Sequence, residues 1–179
     1  MPVEKFLYLK NEERAQILNE FALSLNYTSE ILEKDIWVCW TLDRLFSMPD
    51  RIGMAFKGGT SLSKAYGIID RFSEDIDVTL DLFGSLRAKY KEPLDSNSKR
   101  IKFRDAANEK VREYRDKEIV PHLKSEIERE FGVDSGILVE TAESDKPDAD
   151  NNTNVFLYYP SALQSAEESY VLCHQLIGH

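Results

Sequence analysis

Apolar positions in the first fifty residues recur at helical spacing. Ile17, Leu18, Phe21, Ala22 and Leu25 form one stripe behind Asn11, a residue suited to capping, and predict a helix over about 12–25. Thr28 and Ser29 open a second helix, where Ile31, Leu32, Ile36, Trp37, Trp40, Leu42 and Leu45 repeat until Pro49. Trp37 and Trp40 lie three apart, share a face and read as core residues. The period then shortens. GMAFK (53–57) reads as a buried strand that Gly58 and Gly59 break. Thr60 or Ser61 starts a short helix through about Tyr66, and Gly67 ends it. DIDVTL (75–80) alternates strictly, with Ile76, Val78 and Leu80 on one face and Asp75, Asp77 and Thr79 on the other. That pattern is a half-buried strand.

Residues 83–99 are polar, carry Gly84 and Pro93, and predict a loop or insertion. Residues 100–131 are charged and helical, with Pro121 dividing or kinking the run before Gly132 and Gly136 end it. Strands begin at Ile137 and Asn154 and form a hairpin across a long acidic turn; YVLCHQLI, from Tyr170, is a last strand. Helices and strands mix without regular βα alternation, so the fold class is α+β: a small mixed sheet flanked by helices. One domain is expected over 1–179. It divides into a helical lead-in (1–50), a core of glycine turn and paired aspartates (51–82), a loop (83–99), and helices with late strands (100–179).

Composition narrows the classes. At 179 residues, 42% hydrophobic and 31% charged, the chain has enough apolar surface for one core. No apolar run approaches the roughly 18–20 residues that span a bilayer. The N-terminus has no secretory pattern, and Cys39 and Cys173 form no ligand motif, so a cytoplasmic protein is expected. The net charge of −9 argues against a sheath of non-specific nucleic-acid affinity. It leaves open a nucleotide site built on carboxylates and a divalent metal, because the metal reverses the local field.

KGGTSLSKAYGIIDRFSEDIDVTL, residues 57–80, carries the chemistry. Side chains two apart on a strand project from the same face, so Asp75 and Asp77 can converge on a cation. Mg²⁺ favours one or two carboxylates plus substrate phosphates. Gly58 and Gly59 let a ligand approach the backbone, and the amides opening the next helix favour anions. Thr60 and Ser61 add hydroxyl donors, and Lys57 or Lys64 an ammonium. Each half alone is a weak signal. Most glycine pairs are plain turns, and surface strands often carry acids. The order of strand, glycine pair, hydroxyls, short helix and alternating aspartates is far more specific.

This stretch resembles the signature of the DNA polymerase β-like nucleotidyltransferase superfamily. KGGTSLSKAYG with RFSEDIDVTL resembles, more narrowly, the AbiEii/AbiGii toxin family, which includes the MenT nucleotidyltransferase toxins. The resemblance implies transfer of a nucleoside monophosphate from an NTP (ATP, CTP, GTP or UTP) to an acceptor such as tRNA or another RNA. It also implies Mg²⁺ and a cognate antitoxin. Carried over by position, Asp75 and Asp77 are the catalytic metal ligands. Gly58, Gly59 and Ser61 match the phosphate turn, with the Thr60 hydroxyl a further nucleotide-binding candidate, and Lys57 and Arg71 are the basic nucleotide-binding positions.

The family pattern continues with a third carboxylate on a later strand and a helical C-terminal region. YVLCHQLIGH holds no acid, and Glu140 in ILVETA is the weak remaining candidate. The sequence therefore reads as a C-terminally shortened relative, for which self-association through uncovered surface is expected. His174 and His179, five apart, read as inert. Three functions compete: an Mg²⁺-dependent nucleotidyltransferase toxin, a catalytically incomplete nucleotide- or partner-binding homologue, and a purely structural interaction domain.

Overall fold

The computed structural model of the chain describes residues 3–57, 75–81, 96–141, 153–163 and 169–177, with residues 4 and 174–177 as backbone alone. Three helices lead: α1 (Val3–Leu7), α2 (Asn11–Leu25) and α3 (Ser29–Phe46). The cap of α2 is Lys10 rather than Asn11; the Lys10 N–H donates to the Glu13 carboxylate at 3.1 Å. Asn11 is drawn inside the first turn, where its Oδ1 accepts from Arg14 at 2.7 Å. The buried row of α2 is Arg14, Leu18 and Ala22, and Ile17 is partly buried. Phe21 and Leu25, expected on the core stripe, are 58% and 52% exposed. The helix is rotated so that Arg14 enters the interior near buried Glu33 of α3. Burial pulls the Arg14 guanidinium below its ordinary pKa, and the charge of Glu33 works against that shift.

Thr28 caps α3, its hydroxyl accepting from the Ile31 N–H at 3.3 Å. Trp37 and Trp40 are both buried and meet edge to face at 6.0 Å, as the helical spacing predicts. Trp37 also stacks on Tyr159 at 4.9 Å and 19°, and Phe131 lies 5.7 Å from each tryptophan.

The strands are β1 (Met54–Lys57), β2 (Asp75–Leu80), β3 (Leu138–Thr141), β4 (Val155–Tyr158) and β5 (Tyr170–Ile177). Among the described residues they form one sheet in the order β1-β2-β5-β4-β3. The β2–β5 pair is parallel and the other three are antiparallel, so the sheet is mixed, as an α+β reading requires. The expected β3–β4 hairpin is present. Ile76, Val78, Leu80, Val139, Val155, Leu157, Val171 and Cys173 share one face and join the helices in a single core.

That core also takes residues from α4 (Asn97–Tyr114) and α5 (Val120–Phe131). Helix α4 starts inside the segment expected to be a loop, because Ser96 caps it; its side chain accepts from the Lys99 N–H at 3.3 Å. Between the two helices Arg115–Ile119 forms a π turn, with the Val120 N–H bonded to the Arg115 carbonyl five residues back. Pro121 follows one residue later, after Val120. Proline supplies no N–H and its ring crowds the carbonyl four residues earlier. The widened turn takes up that conflict without breaking the helical run. No helix among the described residues is long and apolar enough to cross a membrane.

Candidate active site

Strand β2 lies between β1 and β5, so its backbone is held on both sides. Ile76 is fully buried and fixes which way the strand faces. Asp75 and Asp77 are half-buried on the opposite face, on Cα atoms about 6.5–7 Å apart. The alternation read from the sequence thus does place both carboxylates together.

Lys57, exposed at the end of β1, is in register with Asp77. Directly opposed residues of an antiparallel pair carry Cβ atoms about 4.5–5.5 Å apart, so the Lys57 side chain is rooted within reach of the acid pair. Of the other expected site residues, Gly58, Gly59, Thr60, Ser61 and Arg71 lie outside the described residues. Their segment leaves β1 at Lys57 and returns at Asp75, so both of its ends are anchored beside the aspartates.

On the other flank, β5 sets Leu172 opposite Asp75 and the backbone of His174 opposite Asp77. Glu140, the candidate third carboxylate, does lie on the aspartate face. It pairs with Phe156, Phe156 with Leu172, and Leu172 with Asp75. Three strand spacings, about 14 Å, therefore separate it from Asp75. A cation bound at about 2.0–2.6 Å cannot reach both, so Glu140 is no ligand to the same ion. Among the described residues no cluster of three His, Cys, Asp or Glu side chains is placed to hold a metal.

The two aspartates still fit Mg²⁺ as a partial donor set. They are hard oxygen donors, and their partial exposure leaves the rest of a coordination shell to water and phosphate oxygens. Thr79, next along the face, is 5% exposed, and its Oγ1 has no hydrogen-bond partner among the described residues. Cys173 sits behind the site on the core face of the sheet. Burial, helped by the charge of Asp75, pushes its thiol up to about 12, so it stays protonated and is no nucleophile.

Two features are missing from the sequence reading. Phe156, Tyr158 and Tyr170 gather on the aspartate face of β4 and β5, with Lys34 over Tyr170. Alternation in NVFLYY shows which residues share a face. It does not show that β5 would carry that face up against β2. A groove of about 460 Å³ runs between α5 and β3, lined in part by Lys124, Glu128 and Glu140. It lies at the sheet edge away from the aspartates and includes neither of them.

A family model described as the nucleotidyl transferase AbiEii toxin of type IV toxin–antitoxin systems matches residues 40–169. The match takes in the glycine pair Gly58 and Gly59 and both aspartates. No curated protein and no solved structure matches the chain.

Proposed function

From the premise that the chain belongs to the AbiEii nucleotidyl transferase toxin family of type IV toxin–antitoxin systems, we propose that it transfers a nucleoside monophosphate from an NTP to an RNA hydroxyl. The observation that carries this reading is the pair Asp75 and Asp77 on one face of β2, with Lys57 in register beside Asp77. Gly58, Gly59, Thr60 and Ser61 seat the triphosphate, and Lys57 and Arg71 offset its charge. The acceptor hydroxyl attacks the α-phosphorus while the bond to the bridging oxygen breaks. Pyrophosphate leaves, and the hydroxyl proton passes to solvent. Positioning and charge stabilisation carry such a transfer, since it asks little covalent chemistry of the protein. Asp75 and Asp77 would hold Mg²⁺, which when bound neutralises charge developing on the phosphoryl oxygens. The partner that restrains the activity is a cognate antitoxin, and both proteins work in the cytoplasm.

A labelled-NTP assay over an RNA pool, comparing wild type with Asp75→Ala/Asp77→Ala, tests the proposal. Label should enter RNA with wild type only. Equal incorporation by the two proteins, or none by either, sinks it. A second reading is favoured by the distance of Glu140 from the pair: a homologue that binds NTP or a partner without turnover. Calorimetry with NTP and Mg²⁺ separates the two, because saturable binding without transfer selects the second.

A further inference from the structure

On the face of the sheet that carries Asp75 and Asp77, the strands next along hold three aromatic rings. Tyr170 of β5 is in register with Tyr158 of β4, and Phe156 stands two residues before Tyr158 on the same strand. Phe156 and Tyr158 are stacked at 6.2 Å and 21°, Phe156 and Tyr170 meet edge to face at 5.9 Å, and Tyr158 and Tyr170 are tilted at 5.6 Å. All three are half-buried, so each ring keeps some accessible surface. Lys34 of α3 places its Nζ 5.1 Å from the centre of the Tyr170 ring and brings a positive charge to the patch.

The position of the patch limits what it serves. The glycine segment follows directly on β1, the neighbour of β2 on one side. The rings stand on the other side, with Phe156 two strand spacings, about 10 Å, across from Asp75. In a phosphoryl transfer the attacking and leaving oxygens lie roughly in line, on opposite sides of phosphorus. If the triphosphate is seated on the β1 side, the attacking hydroxyl arrives from the β5–β4 side. The chain that bears this hydroxyl then has bases within reach of Phe156, Tyr158 and Tyr170.

The geometry points to these three rings, with Lys34, as a stacking platform for the unpaired bases of a single-stranded RNA acceptor end. Aromatic rings accept any base by its π face, and an ammonium nearby suits the backbone phosphate. Duplex RNA buries those faces and is a poor ligand for such a surface. The assignment rests on the nucleotidyl-transfer reading for its orientation, and its test is independent of turnover.

The experiment measures fluorescence anisotropy of a labelled ten-nucleotide single-stranded RNA of mixed sequence, at low salt, without NTP or Mg²⁺. Wild type should bind it. Phe156→Leu and Tyr158→Leu, which keep an apolar side chain in the sheet, should each weaken binding about tenfold. Lys34→Gln lies outside the sheet and should weaken it about threefold while reducing the salt dependence. No binding by wild type, unchanged binding by the ring and Lys34 variants, or equal binding of a duplex overturns the assignment. If the ring variants fail to fold, the Lys34→Gln result and the duplex comparison decide it. Absence of transfer with ring-dependent binding removes the enzymatic reading alone. Transfer with ring-independent binding removes the platform alone.

Discussion

Glu33 links the helical lead-in to the chain beyond β4. It is only 2% exposed, and its carboxylate accepts the Ser161 hydroxyl and, at 2.8 Å, the Ala162 N–H. Its negative charge also acts on buried Arg14. Glu33→Ala removes all three interactions at once. Hydrogen bonds to a charged group contribute about 1.5–3 kcal/mol each and are not strictly additive, so the loss of both acceptor contacts costs about 3–5 kcal/mol. Glu33→Gln keeps an acceptor oxygen and loses the charge, so about 1.5–3 kcal/mol is expected.

Urea unfolding followed by tryptophan fluorescence measures both variants. Trp37 stacks on Tyr159, two residues before Ser161, so the probe sits beside the perturbation. With a urea slope of about 1–3 kcal/mol/M, the Glu33→Ala midpoint should fall by about 2 M. Arg14→Met should then be less damaging in the Glu33→Ala background than in wild type. A loss below about 1 kcal/mol for Glu33→Ala, or no coupling to Arg14, would refute the reasoning.

Two further outcomes follow from the packing. Cys173 keeps its proton in the fold up to about pH 12, against an ordinary value of 9.0. Between those values the unfolded chain binds fewer protons, so this group lowers stability by about 1.4 kcal/mol per pH unit as pH rises, and contributes no slope below 9. Unfolding at stepped pH should show a shallower alkaline loss for Cys173→Val, and identical slopes would contradict this. The Trp40 Nε1–H donates to Glu130 at 2.9 Å, and Arg44 and Arg129 each meet the same carboxylate at 3.0 Å. Glu130→Ala, which orphans a buried indole donor, should cost about 1–3 kcal/mol, whereas Arg129→Ala at the surface should cost under about 1 kcal/mol. Equal melting temperatures for the two variants would count against that ordering.

Much of the fold is legible from local pattern. Alternation in DIDVTL puts two acids on one face because a strand has only two faces. The spacing of Trp37 and Trp40 places both in the core for the corresponding helical reason. What escapes is tertiary. Arg14 replaces Phe21 and Leu25 as the inward edge of α2 because a carboxylate waits on α3, and no periodicity within α2 records that. Ser96 starts α4 by a single cap inside a segment whose composition reads as loop. The insertion of β5 between β2 and β4 depends on pairing between distant stretches, so the sequence pattern could nominate Glu140 but not measure its distance from Asp75.

That insertion also bears on timing. β1 meets β2 early in the chain, but Leu172, opposite Asp75, is about a hundred residues downstream. At synthesis rates of about 5–20 residues per second, roughly 5–20 s separate the emergence of the aspartates from that of the strand that braces them. Pairings of such long range also close slowly. Until β5 has emerged, the acid strand is a sheet edge with one neighbour. It becomes an interior strand only after β5 has been made, so the birth of the aspartates runs ahead of the birth of their site.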